Sequence, residues 1–383
     1  MASIRLKQLR KEFGDLVAVE DLNLEMADGQ FAALLGPSGC GKTTTMNMIA
    51  GLEVPTSGDI YFDGRRMTDV PPGKRGVGFV FQNYAIFTHM SVYQNLAFGL
   101  KVHGRPEAEL RREVGKVAEL LQITDMLDMN AGRLSVNDMQ KVALGRSMIM
   151  NPTIFLLDEP FSNLDAAFRA YMRGELKRIQ REIKQTMVYV THDQVEAMSM
   201  ADKIAVMYCG QLYQWGTPDE IYNQPVNAFV ARFIGSPNMN FVPCTYRVED
   251  GQGFLVQKGG DGCLPVDDRR RQLLDQHAGS LDLTLGIRPE HLHVHPQSTP
   301  APARTATPSG GTPGQAAGAG WQGVAYALEP LGSKTVVHVQ VGRDIVQVIA
   351  PPNYRPRIGD PQWLACDLEY LHIFDSSSHK VIR

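Results

Sequence analysis

Two hydrophobic periods divide this chain. Near its start apolar and polar residues alternate: Ile4, Leu6 and Leu9 within 3–9, then Val17, Val19, Leu22, Leu24 and Met26 within 16–26. A period of two puts every second side chain on one face, so both stretches predict antiparallel strands, with a turn at Phe13-Gly14-Asp15. Other runs are apolar throughout: Phe31-Ala32-Ala33-Leu34-Leu35, Val77-Gly78-Phe79-Val80-Phe81, Ile154-Phe155-Leu156-Leu157 and Met187-Val188-Tyr189-Val190. Such runs predict strands covered on both faces. Gly58–Gly64 predicts a short strand ending in a turn, and Ile204–Met207 with Gln211–Trp215 a hairpin around Cys209-Gly210. From about Ser91 to Met150 the spacing lengthens, as in Val92/Leu96/Phe98/Leu100 and Val114/Val117/Leu120/Leu121. This predicts a helical insertion, about residues 88–150, between two core strands.

The character changes at Gly235-Ser236-Pro237-Asn238. Short strands are expected at 241–248, 253–257, 281–287, 322–328, 334–341, 344–349, 362–366 and 370–373, which together suggest a small β-barrel-like domain. Residues 296–320, rich in Pro, Ala, Thr and Gly, predict a flexible loop within it. The expected domains are therefore 1–235, α/β, and 236–383, all-β. His291, His293 and His295 alternate, so a strand would place them on one face. That face is either a metal site or, with no carboxylate or Cys partner evident, simply solvated.

Composition narrows the class. A chain of 383 residues suits two domains. A net charge of −3 with no basic run gives no electrostatic case for nucleic acid. Met1–Lys7 lacks the apolar core of a signal peptide, and no apolar stretch approaches the ~18 residues of a membrane span. The chain is expected to be soluble and to reach any membrane through a partner. Its five cysteines form no C-x-x-C, which fits a reducing compartment without structural zinc.

The chemistry concentrates at the carboxyl ends of the buried strands. Gly36-Pro37-Ser38-Gly39-Cys40-Gly41-Lys42-Thr43-Thr44 reads G-x-x-x-x-G-K-T-T between an apolar strand and an apolar-periodic segment. That is a phosphate-binding P-loop: glycines let backbone N–H groups turn toward phosphate oxygens, and the following helix adds its positive end. Lys42 would reach the β- and γ-phosphates and Thr43 would ligate Mg²⁺. Cys40 reads as a small tolerated residue in this loop. The run Ile154–Leu157 ends in Asp158-Glu159, where Asp158 would hold Mg²⁺ and Glu159 would polarise the attacking water. Gln82 and His192 follow two other strands, and ligands of open parallel sheets lie at such ends. His192 reads as a γ-phosphate contact. Phe13, a large apolar residue at a turn, either packs its hairpin or offers a stacking platform for a flat base.

This motif set resembles the ATPase subunits of ABC transporters, and more narrowly the sugar-importer ATPases of the maltose and glycerol-phosphate type. Gly36–Thr44 matches Walker A and Ile154–Glu159 Walker B. Gln82–Phe87 resembles the Q-loop, Ser162-Asn163-Leu164-Asp165 the D-loop and Thr191-His192-Asp193 the switch-histidine loop. Leu285–His291 resembles the OB-like regulatory domain of that importer group. The resemblance implies that Phe13 stacks on adenine, that Gln82 senses Mg²⁺, and that ATP and Mg²⁺ are the cofactors. It implies two nucleotide-binding subunits closing head-to-tail on two ATP molecules, two membrane permeases docked on Asn83–Met90 and the helical insertion, and an external solute-binding protein. The chain would sit peripherally on the cytoplasmic face of the inner membrane and power uptake of a sugar, glycerol or glycerol-phosphate-like solute. Two rivals lack support. A nucleic-acid-directed ABC ATPase would carry a second nucleotide domain or a basic patch, and a GTP switch would carry N-K-x-D.

One motif departs from the family. Its signature, L-S-G-G-Q, is here Leu134-Ser135-Val136-Asn137-Asp138. Ser135 can still cap a helix, and Asp138 suits a capping box. Both glycines are lost, and a carboxylate stands where a partner's γ-phosphate would bind. Like charges 4 Å apart at an effective dielectric of ~20 repel by about 4 kcal/mol. Because the chain's own Walker A, Glu159 and His192 are intact, the expectation is a heterodimer with a second ATPase carrying an intact signature. The alternative is a homodimer of the same class.

Overall fold

The computed structural model describes residues 2–162, 164–260, 262–276, 282–296 and 320–382. Packing divides the chain into two units, Met1–Ile221 and Tyr222–Arg383.

The first unit begins with β1 (Ile4–Phe13), β2 (Leu16–Met26), β3 (Phe31–Leu35) and α1 (Lys42–Ala50), then β4 (Ser57–Phe62), β5 (Arg65–Arg66) and β6 (Val77–Val80). Three helices follow, α2 (Val92–Val102), α3 (Glu107–Leu121) and α4 (Val136–Met148). The unit closes with β7 (Ile154–Asp158), α5 (Ala166–Ile183), β8 (Thr186–Thr191), α6 (Gln194–Met200), β9 (Lys203–Tyr208) and β10 (Gln211–Gly216). The alternating stretches form an antiparallel sheet of order β2-β1-β4-β5, with Phe13 still in its strand, opposite Leu16. The turn is therefore Gly14-Asp15, where Gly14 takes φ +57. The continuous apolar runs form the second sheet, of order β10-β9-β3-β8-β7-β6, parallel except at the β9–β10 hairpin.

Helix α1 owes its place to apolar residues on more than one side. Met46, Met48 and Ile49 are fully buried in one cluster with Leu6 and Leu22 of the antiparallel sheet and Leu34, Leu156 and Val188 of the parallel one. Each such side chain contributes about 1.5–3 kcal/mol on burial. The P-loop helix is thus clamped between two sheets. Phe81, expected inside a buried strand, lies just past β6 and is 42% exposed. The pairing with β7 ends at Val80–Leu157, which frees the next residue.

Helix α2 starts with a reciprocal Ser91–Gln94 capping box. Its Asn95 is fully buried and holds the backbone of Phe87 from both sides, accepting from its N–H at 2.8 Å and donating to its carbonyl at 2.9 Å.

The second unit takes in helix α8 (Ala228–Phe233), on the chain side of the expected 235/236 boundary; α7 (Pro218–Asn223) spans the division itself. The reason is Arg288. Its buried guanidinium donates to the Ile234 carbonyl at 2.7 Å and the Tyr222 carbonyl at 2.6 Å, and lies 3.6 Å from the Tyr222 ring centroid. Residues 222–234 are thereby fastened to this unit.

Its strands are β11 (Asn240–Glu249), β12 (Gln252–Gln257), β13 (Cys263–Val266), β14 (Asp282–Ile287), β15 (Leu292–Pro296), β16 (Gly320–Pro330), β17 (Thr335–Val341), β18 (Asp344–Ala350), β19 (Pro361–Cys366) and β20 (His372–Asp375), with α9 (Asp268–Gln276) between β13 and β14. They pair in the order β15-β19-β16-β13-β12-β11-β14-β20, while β17 joins β16 to β18. Strand β13 and helix α9 escape the sequence pattern: β13 is short and α9 buries only Leu274. The strand expected at 370–373 begins at His372, after a 3₁₀ turn at Leu368–Tyr370. The expected loop at 296–320 falls, between 297 and 319, outside the described residues.

Only two of the three histidines share the strand β15. His291 lies in a 3₁₀ turn and stacks on Tyr370, centroids 3.9 Å apart. His293 Nε2 is 3.1 Å from Asp367 Oδ2, a carboxylate partner that the sequence pattern did not reveal. Among the described residues no group of three metal-ligating side chains is assembled.

Candidate nucleotide-binding site

Register brings the site together. In the parallel sheet Leu35 lies opposite Thr191 and Val206, Asp158 opposite Val190, and Val80 opposite Leu157. The strand ends that lead into the P-loop, Gln82, Glu159 and His192 therefore share one edge.

The P-loop itself is tightly fitted. A Cβ on Gly36 would overlap the Met207 carbonyl oxygen and lie 2.7 Å from Cys40 Sγ. Gly39 and Gly41 take φ +78 and +93, a region that side-chain-bearing residues rarely adopt. Gly41 is the N-cap of α1 and supplies no capping side chain. The first N–H groups of the helix are left to bind an anion. Lys42 is buried, its Nζ donating to the carbonyls of Gly36 and Pro37 at 2.8 Å each. Burial pushes the Cys40 thiol up against the opposing pull of Lys42, which leaves a protonated, unreactive side chain.

Across from α1, the Thr43 hydroxyl donates to Asp158 Oδ1 at 3.2 Å. Burial raises the Asp158 pKa, the Thr43 hydrogen bond lowers it, and the charge of Glu159 raises it again. A carboxylate held uncomfortably in this way is stabilised by a cation. The hydroxyl and carboxylate oxygens are the hard donors that Mg²⁺ prefers.

Glu159 stands at φ +43, its N–H tied to the Val190 carbonyl at 3.0 Å. Its carboxylate is shared: Gln82 Nε2 donates to Oε2 at 3.4 Å and His192 Nδ1 lies 3.2 Å from Oε1. Two residues from other strand ends thus converge on the Glu159 carboxylate. Phe13 is 46% exposed, and Lys11 Nζ lies over its ring, 4.7 Å from the centroid.

Ser135 caps α4 as the sequence suggests, its hydroxyl oxygen accepting from the Asp138 N–H at 3.2 Å. The second half of the expected capping box is absent. Asp138 Oδ2 instead accepts the Ser135 hydroxyl proton at 2.6 Å. An Asp side chain is one methylene shorter than the Glu of a full box, and the nearer donor takes it. Asn163 of the D-loop lies outside the described residues.

Sequence reasoning missed the groups that hold these loops. Arg169 on α5 donates to the Leu164 carbonyl at 3.1 Å and to Asp193 at 3.2 Å, joining the D-loop segment to the histidine loop. Glu196, 3% exposed, accepts from the hydroxyls of Tyr189 and Thr191 at 2.7 Å each. No motif flags either residue. The one available signal was their charge on helices that follow site loops.

The family model described as ABC transporter matches residues 19–162, MalK OB fold domain 235–292 and TOBE domain 285–374. The chain is 43% identical over 343 residues, 89% of its length and 86% of the relative's, to the maltose/maltodextrin import ATP-binding protein MalK of Yersinia pestis bv. Antiqua. It is also 43% identical over 344 residues, again 89% and 86%, to the protein of that name from Salmonella typhimurium. Among solved structures, cbiO1 of Clostridium perfringens, part of an ABC transporter complex, is 28% identical with a TM-score of 0.54, covering 57% of this chain and 89% of its own. Taken with the P-loop and the acidic strand end, these matches establish that the chain belongs to the ATP-binding import subunits of ABC transporters, as an ATPase coupled to transport.

Proposed function

We propose that this chain hydrolyses ATP to import a carbohydrate or polyol, a sugar, glycerol or glycerol-phosphate-like solute. The observation that carries the catalytic part is the Glu159 carboxylate flanked by Gln82 and His192 at the mouth of the P-loop. The solute class is supported by relatives named for maltose and maltodextrin import.

In this reading the Gly36–Thr44 backbone and the N-terminus of α1 take the phosphates, and Lys42 exchanges the Gly36 and Pro37 carbonyls for phosphate oxygens. Phe13 takes the adenine. Thr43, Asp158 and the Gln82 amide oxygen hold Mg²⁺, which when bound supplies charge neutralisation at the β- and γ-phosphates. Glu159 orients and polarises a water in line with the γ-phosphate, and His192 holds that carboxylate and the phosphate edge. No helix among the described residues is long and apolar enough to cross a membrane. In this reading two permeases dock on the Gln82–Met90 segment and the helical insertion and hold the chain at the cytoplasmic face of the membrane. An external binding protein delivers the solute to them.

The second subunit of the dimer is a different ATPase with an intact signature. Support comes from Val136, 45% exposed at the start of α4 where the family has glycine, and from the Ser135–Asp138 hydrogen bond. The competent site then joins this chain's P-loop to the other subunit's signature. Glu159→Gln should abolish solute uptake and ATPase activity in the assembled complex, while the equivalent change in the second ATPase is milder. Equal loss in both single mutants would falsify the asymmetry. Unchanged ATPase activity in Glu159→Gln would remove the catalytic assignment itself.

A further inference from the structure

We propose that the groove along the outer face of helix α5 is a docking site for an acidic helix of a partner protein. The groove lies apart from the nucleotide-binding site, and neither the P-loop nor the signature contributes to it.

Helix α5 buries Met172, Leu176, Ile179 and Gln180 and turns its other face outward. In a chain of net charge −3, this helix carries five basic residues (Arg169, Arg173, Lys177, Arg178 and Arg181) and two acidic ones, Glu175 and Glu182. Both acids are occupied by Arg178, which donates to Glu175 at 2.9 Å and to Glu182 at 2.6 Å. Asp193 takes Arg169 at 3.2 Å, and Asp202 takes Lys177 at 2.8 Å. Arg173 and Arg181 are left with no carboxylate within ion-pair distance among the described residues. At 1.5 Å per residue they stand about 12 Å apart along the helix axis. With Lys177 between them, they line a groove of about 560 Å³ that Ser199 and Met200 of α6 border. Gly174 lies in this groove, in the interior of the helix, where glycine is less stable than alanine. A Cβ there would meet no atom within 4 Å, so nothing inside this chain requires the glycine. What its missing side chain permits is close approach of another backbone from outside. Charge and shape then name the occupant. Two guanidinium groups about 12 Å apart are met by carboxylates two turns apart on a facing helix, which has the same rise. Gly174 and Ser199 are exposed, so the groove is an open trough that suits a rod lying along α5. Opposite charges on the two helices would fix its register.

The test is fluorescence anisotropy on the full chain at low salt. The probe is a labelled, alanine-based helical peptide with glutamates along one face at i, i+4 and i+7. Its control has the same composition with the glutamates spread round the helix. The patterned peptide should bind about tenfold more tightly than the control. Arg173→Gln combined with Arg181→Gln should weaken it about tenfold, the worth of two surface ion pairs, and added salt should weaken it as well. Gly174→Leu fills the groove and leaves every charge in place. It should weaken binding by at least as much without lowering the melting temperature. Arg247→Gln, at an exposed arginine of the second unit, should change nothing. No binding of the patterned peptide, equal binding of the two peptides, or binding indifferent to Gly174→Leu overturns the proposal. Binding of phosphatidylglycerol vesicles or of tripolyphosphate that is lost in the double arginine variant, with the patterned peptide unbound, overturns it in favour of a lipid headgroup or a free phosphate. Should Gly174→Leu unfold, the double arginine variant decides, and peptide binding that survives it ends the proposal.

Discussion

Arg146, on the signature helix α4, places its guanidinium 4.3 Å from the ring centroid of Phe87 and donates to the carbonyl of Ala85. Both partners belong to the segment proposed above for permease docking, so a single side chain links the helix that starts at the signature to that segment. Truncation to Ala should cost about 1–2 kcal/mol from the lost cation–π contact and hydrogen bond. The functional consequence is expected to exceed the thermodynamic one. ATPase activity of the paired ATPase subunits without permeases should persist while its stimulation by the assembled permeases falls, and Arg146→Lys should not rescue it, because an ammonium cannot stack and donate as the planar group does. Equal losses with and without permeases would show that Arg146 serves only the fold.

Gly36 and Gly39 make contrasting demands on the P-loop. A methyl at Gly36 meets the Met207 backbone and Cys40, whereas one at Gly39 meets nothing within 4 Å and pays only for φ +78. Gly36→Ala should therefore destabilise by about 1–3 kcal/mol as overpacking and displace the loop. Gly39→Ala should cost about 1–2 kcal/mol from backbone strain alone. Nucleotide titration should show a larger loss of ATP affinity for Gly36→Ala than for Gly39→Ala.

Glu196 gives stability a pH dependence. Burial raises its pKa, while the hydroxyls of Thr191 and Tyr189 oppose the shift. A raised folded-state value means that the proton is bound more tightly in the folded protein. The contribution is fully present below the unfolded value of about 4.3 and is lost as pH rises through the folded value. Glu196→Gln removes the titration and keeps an oxygen for both hydroxyls. Its stability relative to the parent should therefore improve from pH 4 to pH 7 in denaturant titrations. A gap that stays constant across this range would remove the linkage.

Arg288 tests the division of the chain. Its three hydrogen bonds to the Tyr222 and Ile234 carbonyls are charge-assisted and largely buried. Arg288→Ala should cost about 3 kcal/mol, since each bond to a charged donor is worth about 1.5–3 kcal/mol before relaxation. Proteolysis between residues 222 and 237 should accelerate in this variant. Retained protection there would mean that 222–234 is held by other contacts.

The alternating and continuous apolar runs were legible because burial on one face or two leaves its period in the chain itself. Ile4 to Met26 and Phe31 to Leu35 are of this kind. Helix α9 was not, because its DRRRQLLDQ sequence buries a single residue, Leu274. Nor was the buried Arg288, since a polar residue in a core is explained only by the carbonyls that surround it.

The sequence by itself determined the P-loop, the acidic strand end and the altered signature. These are contiguous, and a strand, a glycine turn and a helix start are set by neighbours along the chain. Only the tertiary structure decided that Gln82 and His192, 77 and 33 residues from Glu159, meet on its carboxylate. That depends on the register of parallel strands, which no local pattern encodes. It also decided the fate of Ser135. Its hydroxyl could have pointed its proton outward, and a carboxylate three residues away, brought within 2.6 Å by the first turn of α4, took it.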